Sequence, residues 1–578
     1  MSWTLKAFDN ERAELLMKEF GLSRTTAVLL ARRQTASLKT VKRFLQPRLS
    51  QLASPFSIPG VEKAVQRLIQ AIQKQERVFV LGDYDVDGVT STALFVNVMR
   101  ELGLEPHHSV PKRSDDGVGL SLGLVQSRLL HDKADFDLVV TLDCGSNDRE
   151  SIEALREHGL DVLIIDHHQV RSTVHPEAII VNPHLYPDEA QEAIMLCTVA
   201  LTFKLMQALL MRLRSSGHTA ADALSLKDQL DLVALGTVTD LVPLTGENRV
   251  LVSHGLHRMS KSKNMGLQAL MDVCGLPYGQ DLDVSDVSFK IGPRINAGGR
   301  MADATTSVNL LTCQQYSACV KFAHELDSLN QDRQSTEREM HEQAISYLSR
   351  KSPHESVVLY DSQWHSGVVG IVASRIARQF GVPTVVLGLE GDLARGSARS
   401  IEGVNIIDAL AQCEDYLESW GGHPMAAGLS VRPENLDVFR RTFSKAITVQ
   451  VDPSGEQCQP VEPMSVEVDA WVQAADLTLP FMAELRRLGP FGVGNPDPVL
   501  AMRGAQLASR VSRFGADNFK CWVSLWGMDY DLMCLGWGFP SRIPESRYPL
   551  DILFHLKWHE WKGRGYPQAT LIDWRYSL

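Results

Sequence analysis

The sequence predicts a multidomain α/β protein with an all-β unit at its C-terminal end, and three observations carry that prediction. Short, continuous apolar runs alternate with amphipathic stretches in two separate blocks. A polar segment over residues 315–350, free of proline and glycine, joins those blocks. Beyond Ala501 the pattern changes to alternating segments such as CWVSLW and ILFHLKW, in a region holding six of the ten tryptophans. Continuous apolar strands between helices imply a parallel sheet covered on both faces, whereas alternation implies a small barrel or sandwich.

Taken in order, residues 29–45 mix apolar and basic side chains at helical spacing until Pro47 stops them, which predicts a helical lead-in. From Val61 a βαβ rhythm begins. Residues 78–81 predict a strand, 89–102 a helix ended by Gly103, and Leu138–Leu142 a second buried strand. Residues 147–158 predict a helix ended by Gly159, and 162–165 a third strand. Helices are predicted over 195–213, 227–235 and 249–259. The polar segment 315–350 reads as a long helix bridging two domains, because its apolar positions are sparse. A second α/β unit follows: strand 356–360, helix 368–380, strand 384–387 and a glycine-rich stretch to Gly428. Residues 450–462 (QVDPSGEQCQPVE) mark a boundary by composition. The predicted division is a lead-in over 1–50, a first α/β domain over 51–314, the connecting helix over 315–350, a second α/β domain over 351–452 and the β unit over 453–578.

Composition narrows the function. The 578 residues carry 58 basic and 69 acidic side chains, a net charge of 58 − 69 = −11, with 44% hydrophobic residues. No run offers the ~20 apolar residues of a membrane helix, and residues 1–15 lack the apolar core of a secretory signal. Nine cysteines without a CxxC pair predict reduced thiols in a cytoplasmic protein, not a disulfide framework or zinc ribbon. Net acidity argues against a chain that coats nucleic acid non-specifically. It leaves room for a nucleic-acid enzyme whose metal centre concentrates carboxylates.

The chemistry-bearing residues converge. GDYDVDG places Asp83, Asp85 and Asp87 directly after the first predicted strand. LDCGS places Asp143 at the end of the second, and IDHH places Asp166, His167 and His168 at the end of the third. In a parallel sheet these strand ends share one edge, where ligands bind. A lone aspartate after a strand is ordinarily a helix cap, but three strand ends carrying the pattern predict a metal site. So many like charges repel unless cations neutralise them. Mixed oxygen and imidazole ligation suits Mn²⁺ or Mg²⁺, and two such ions would activate water for in-line displacement at phosphorus. Asp240, in LVALGTVTDLVPL, is a further candidate where an apolar helix breaks into a loop at residues 236–239.

GDYDVDGVTS, TLDCGS, DHH and GTVTDLVPL, in this order, resemble the four motifs of the DHH phosphoesterases. IGPRINAGGRM from Ile291, WHSGVVGIVASR from Trp364, RGSARS from Arg395 and WGGHPMAAG from Trp420 resemble the RecJ branch of that superfamily. The resemblance runs from Val61 to the C-terminus. It implies a DHH domain, a DHH-associated domain and an OB-fold, and a 5′-to-3′ exonuclease specific for single-stranded DNA, acting in DNA recombination and repair through two metal ions. It also implies metal ligation by Asp83, Asp85, Asp87, Asp143, His167 and Asp240, with Asp143 bridging. His168 then lies nearer the phosphate, so that Asp85, Asp143 and His168 carry the catalysis, and Asp166 orients the histidines from behind. One departure stands out: many relatives carry a histidine two residues before the first aspartate, where this chain has Leu81.

Phosphate-binding candidates lie in both units, with Ser397, Arg399 and His423 in the second. Glycines beside His423, with Gly422 adjacent, let backbone N–H groups approach an anion. Arginine grips phosphate bidentately. An isolated surface arginine is more often solvated, but Arg113, Ser397 and Arg399 match the positions with which the resembled family holds a 5′ phosphate. Arg294, Asn296 and Arg300 are further candidates. Residues 501–578 contain ten Lys/Arg and seven Asp/Glu, a local excess of 10 − 7 = +3. Interleaved aromatic and basic residues suit a single-strand stacking platform, with part of the tryptophans filling the barrel core. A monomer is expected, with single-stranded DNA as substrate and single-strand-binding protein and a helicase as candidate partners on which the sequence itself is silent. Two alternatives compete: a DHH phosphoesterase for short oligonucleotides or nucleotide second messengers, and a non-catalytic replication scaffold, which would have lost ligands that this chain retains.

Overall fold

The structure, a computed structural model, describes residues 2–33, 37–111, 119–130, 136–171, 173–350, 355–451, 465–515, 517–525, 530–539, 542–545, 548–561 and 564–577. The first α/β unit is a five-stranded, wholly parallel sheet. Its strands lie in the spatial order His107–Ser109, Val78–Gly82, Leu138–Leu142, Asp161–Ile165 and Ile179–Val181. Every residue of Val78–Gly82 and Leu138–Leu142 is buried, as continuous apolar runs require. The chain order across the sheet is 2-1-3-4-5, so the topological switch lies between Val78–Gly82 and Leu138–Leu142. A crevice opens there at the strands' carboxyl ends. Helices Val61–Lys74, Val86–Glu101, Thr198–Ser215, Leu230–Thr239 and Gly246–Met259 share one large core with the sheet.

The bridging helix is Tyr316–Arg350, 35 residues long and therefore ~52 Å at 1.5 Å per residue. Its sparse apolar positions serve two different cores. Cys319, Ala323 and Leu326 join the first unit, and Met340, Ala344 and Leu348 pack under helix Val369–Phe380 of the second.

The second unit departs from expectation. Its sheet runs Leu417–His423, Ala426–Val431, Leu393–Arg399, Thr384–Glu390, Val357–Asp361, and only the last pair is parallel. The glycine-rich stretch is thus three antiparallel strands, in which small residues hide the period-two pattern. At the C-terminal end, Leu500–Leu507, Leu550–Trp561, Arg564–Tyr576, Leu532–Gly536 and Asn518–Ser524 pair in sequence, and the last pairs back onto the first. That ring closes a five-stranded barrel.

The N-terminal segment is two helices, Arg24–Arg32 and Leu38–Leu45, where one was expected, preceded by helix Asn10–Phe20. Their apolar faces, including Leu16, Leu29, Leu30, Val41 and Leu45, are buried with Phe481, Leu485 and Leu488 in the core of the barrel unit. Strand Ser2–Leu5 pairs in parallel with Ser465–Val468. The first and last segments therefore fold together. Among the described residues no helix is long and apolar enough to cross a membrane, and all eight described cysteines are free.

Candidate metal centre and phosphate cleft

Each acidic residue is delivered by a distinct backbone device. Asp83 leaves the first strand with its N–H still donating to Leu142 O at 3.1 Å. Asp85 caps helix Val86–Glu101, its Oδ1 accepting from the N–H groups of Asp87 (2.9 Å) and Gly88 (3.1 Å). The ordinary capping role and the metal reading therefore coexist in one side chain. Asp87 accepts from the N–H groups of Thr198 (2.7 Å) and Val199 (2.9 Å), buried donors that have no acceptor within their own helix at the start of Thr198–Ser215. Asp143 adopts φ +67°, and its Oδ1 accepts the Thr198 hydroxyl at 2.9 Å. Asp240 follows the last turn of helix Leu230–Thr239, which runs unbroken through the stretch expected to be loop.

These groups meet at His167, whose Nε2 lies 3.4 Å from Asp143 Oδ1, 3.6 Å from Asp240 Oδ2 and 3.9 Å from Asp87 Oδ2. Donor atoms of Asp83, Asp85 and Asp143 lie within 4.8 Å of one another, and so do those of Asp87, His167 and Asp240. A third such group, Asp143, His167 and His168, links the two. Burial, then the Asp85 charge, pushes Asp83 up to about 8 and Asp87 up to about 7. Burial with Asp87 and Asp85 pushes Asp240 up to about 8, and Asp143 is raised well above the carboxylate range. Burial, then the neighbouring His168, lowers His167 to about 4, leaving it neutral and able to ligate. Asp83 Oδ1 and Asp240 Oδ2 are buried without a hydrogen-bond partner. Buried carboxylate oxygens lacking donors are costly unless a cation serves them, so the donor set fits hard divalent ions.

Asp166 stands behind the histidines. Its Oδ1 accepts from the N–H groups of His167 (2.8 Å) and His168 (3.1 Å) and from the His168 ring at 2.8 Å, while Oδ2 accepts from Ser146 N–H. Against the upward pull of burial, these bonds hold Asp166 below the carboxylate range. The same bond lifts His168 to about 9, so its half-exposed ring is cationic at neutral pH. Leu81 is fully buried among Phe79, Leu120 and Leu124, inside an apolar cluster.

Across the cleft, Ser397 and Arg399 share one strand face. Arg399 Nε donates to Ser374 Oγ at 3.1 Å, and its Nη1 donates to Ala398 O and to the Ser397 hydroxyl. His423 ends a strand beside the Pro424–Met425 turn. Burial, then the charges of Arg171 and His168, lowers its pKa. The units touch where Arg171 Nη2 donates to Gly422 O at 2.7 Å, with the Arg171 backbone held by Asn147. Arg294 is turned to Asp327 and Lys290 O, toward the connecting helix. Arg300 reaches Gly367 O at 3.4 Å, and Asn296 is half-buried on the same helix, Gly292–Met301. That helix has a role the sequence did not suggest. A Cβ at Gly299 would lie 2.8 Å from Tyr84 O, so the glycine lets the helix brace the GDYDVDG loop. Arg113 lies outside the described residues. Thr198, Ser146 and Asn147 also escaped sequence reasoning, since serine, threonine or asparagine near a helix start reads only as a cap, and so did Ser374, in the middle of helix Val369–Phe380.

Of the barrel-region tryptophans, Trp574 is buried, Trp522 and Trp558 are half-buried and Trp537 is 54% exposed. Trp526 lies outside the described residues, and the side chain of Trp561 is likewise not described.

A parallel sheet with a carboxylate–histidine cluster at its switch point, faced by an arginine-bearing mixed sheet, defines the class of DHH-type phosphoesterases. Comparison agrees. Residues 77–237 match the N-terminal domain of the DHH family, 354–448 the DHHA1 domain and 468–573 the RecJ OB domain. The chain is 31% identical to the single-stranded-DNA-specific exonuclease RecJ of Bacillus subtilis, over 99% of this chain and 70% of that protein. It is 35% identical to that of Dickeya dadantii, over 89% and 90%. With the crystal structure of RecJ from Thermus thermophilus in complex with Mn²⁺ it shares a TM-score of 0.81 at 27% identity, covering 100% of this chain and 80% of the other. The chain belongs to the RecJ family.

Proposed function

We propose that this chain is a metal-dependent exonuclease that degrades single-stranded DNA from the 5′ end, with Mn²⁺ or Mg²⁺ bound by Asp83, Asp85, Asp87, Asp143, His167 and Asp240. The observation that carries the reading is the pair of orphaned, buried oxygens, Asp83 Oδ1 and Asp240 Oδ2, within overlapping carboxylate–histidine groups. Similarity to RecJ proteins crystallised with Mn²⁺ and with Mg²⁺ supports it. Divalent ions held there neutralise the carboxylates and supply Lewis-acid activation of water and of a phosphoryl oxygen.

The chain's own groups do the rest. Asp143, between the two ligand groups, bridges them. His168, kept cationic by Asp166, donates a hydrogen bond to the scissile phosphate and stabilises charge developing there. Ser397 and Arg399, with Arg113, hold the terminal 5′ phosphate, and His423 closes the phosphate site from the facing unit. Direct contact of the units at Arg171 and Gly422 supports a cleft that admits one strand. The barrel unit grips the strand beyond the cleft. The chain acts as a monomer on strands that a helicase exposes and single-strand-binding protein covers.

The test uses single strands labelled at the 5′ or 3′ end and a blunt duplex, each with Mn²⁺, Mg²⁺ or chelator. Metal-dependent release of 5′ label from single strands alone is the expected result. Efficient degradation of the duplex, or release from the 3′ end, would overturn the reading.

A further inference from the structure

The segment that follows Asp240 is held by the C-terminal unit. Leu241 adopts φ +61° and is 66% exposed, so its own side chain does not anchor this strained conformation. A non-glycine residue stays in that region only when its surroundings hold it. The holding contacts lie three to five residues beyond Asp240. Leu244 N–H donates to Val493 O at 2.7 Å. Leu244 is 2% exposed, and a Cβ at Gly492 would approach its Cδ1 to 2.8 Å. Gly494, at φ +72°, faces Pro243 and Thr245, and a Cβ there would lie 3.0 Å from Pro243 Cβ.

The 491–495 turn is itself rigidly mounted. Asn495 is 3% exposed, and its Nδ2 donates to Leu488 O (2.9 Å) and Pro490 O (2.7 Å). Arg249, on the helix that starts just after this segment, donates to Leu488 O and Arg487 O at 2.9 Å and to Phe44 O. The turn and the Asp240 segment are thus parts of one junction between units, buried at Leu244, Arg249 and Asn495.

We propose that the 491–495 turn positions Asp240, so that a segment of the C-terminal unit sets the affinity of the metal centre. The proposal rests on the metal reading above. It assigns Gly494 and Asn495 a positioning role that no DNA contact requires.

The experiment titrates the full chain with Mn²⁺, reading free Mn²⁺ by electron paramagnetic resonance, for Gly494→Ala and Gly504→Ala. Gly504 has φ +70° in the same unit with open space around it, so both substitutions impose the same backbone strain and only one meets the Asp240 segment. Gly494→Ala is expected to weaken Mn²⁺ binding roughly tenfold, the size of effect typical when support behind a ligand is lost, and Gly504→Ala to leave it unchanged. Equal affinities in the two variants would overturn the proposal. Should Gly494→Ala fail to fold, Asn495→Ala carries the same comparison without added volume. An Asp240→Asn arm separates the two readings: unchanged Mn²⁺ binding there would defeat the metal assignment itself, and the positioning role with it.

Discussion

In the first α/β unit all five strands run parallel, and the site is an edge, where strand after strand ends at one level. In the second, all pairs but one are antiparallel, and Ser397 and Arg399 sit two residues apart on one strand. The first arrangement forces buried carboxylates together until their pKa values rise. The second sets the half-buried Arg399 guanidinium on the buried Ser397 hydroxyl, with a further partner, Ser374, from a neighbouring helix. Concentrating charge of one sign takes converging strand ends, whereas presenting donors to a ligand phosphate takes only alternation.

That contrast can be broken most decisively at the edge. Asp143→Ala should lower hydrolysis at least about a thousandfold, since several kcal/mol of transition-state stabilisation would depend on the ions it is proposed to hold, with circular dichroism unchanged. Near-normal turnover would mean that the clustered carboxylates are not the reaction centre. At the facing surface the effect should be smaller and substrate-selective. Arg399→Ala should weaken binding of a 5′-phosphorylated strand by roughly ten- to a hundredfold, a charge-assisted contact being worth ~1.5–3 kcal/mol, and of a 5′-hydroxyl strand less. Equal losses on both would assign the arginine to structure. Trp537→Ala, in the barrel, should weaken long strands by about fivefold, from a stack at the low end of ~1–3 kcal/mol, and leave dinucleotides untouched. Equal losses on both lengths would exclude a remote platform.

The smallest effect is on stability. Because Asp83, Asp87 and Asp240 are raised to about 7–8 in the fold, the metal-free fold keeps protons that the unfolded chain has released. That stabilisation is complete below the ordinary carboxylate pKa near ~4 and lost as pH rises through about 8. In chelator, the melting temperature should fall by a few degrees between pH 5 and pH 8.5, and saturating Mn²⁺ should remove the fall. A melting temperature rising with pH in chelator would contradict the buried, repelling cluster.

Legibility followed the same divide. The strands that deliver Asp83, Asp143 and the histidines were readable because burial on both faces makes them continuously apolar. The connecting helix was readable to within a residue of its start at Tyr316. Edge strands His107–Ser109 and Ile179–Val181 were missed because three residues carry no period. Strands 356–360 and 384–387 of the second sheet were readable, but its three antiparallel strands were missed because the inward positions of LARGSAR are only Ala, Gly and Ala and AAGLSV is mostly small residues. Thr198, which orients both Asp87 and Asp143, gave no signal, because its partners lie 111 and 55 residues away. Nor could the amphipathic face of residues 38–45 reveal that its partner is helix Leu479–Leu488.

That last pairing has a consequence for synthesis. The helices carrying Leu16, Leu30 and Leu45 are synthesised well over 400 residues before helix Leu479–Leu488 and the strands that bury them. At ~5–20 residues per second, their apolar faces wait about half a minute to two minutes for a partner. During that interval the first α/β unit can fold between them, and transiently exposed apolar faces of this kind are prone to aggregate.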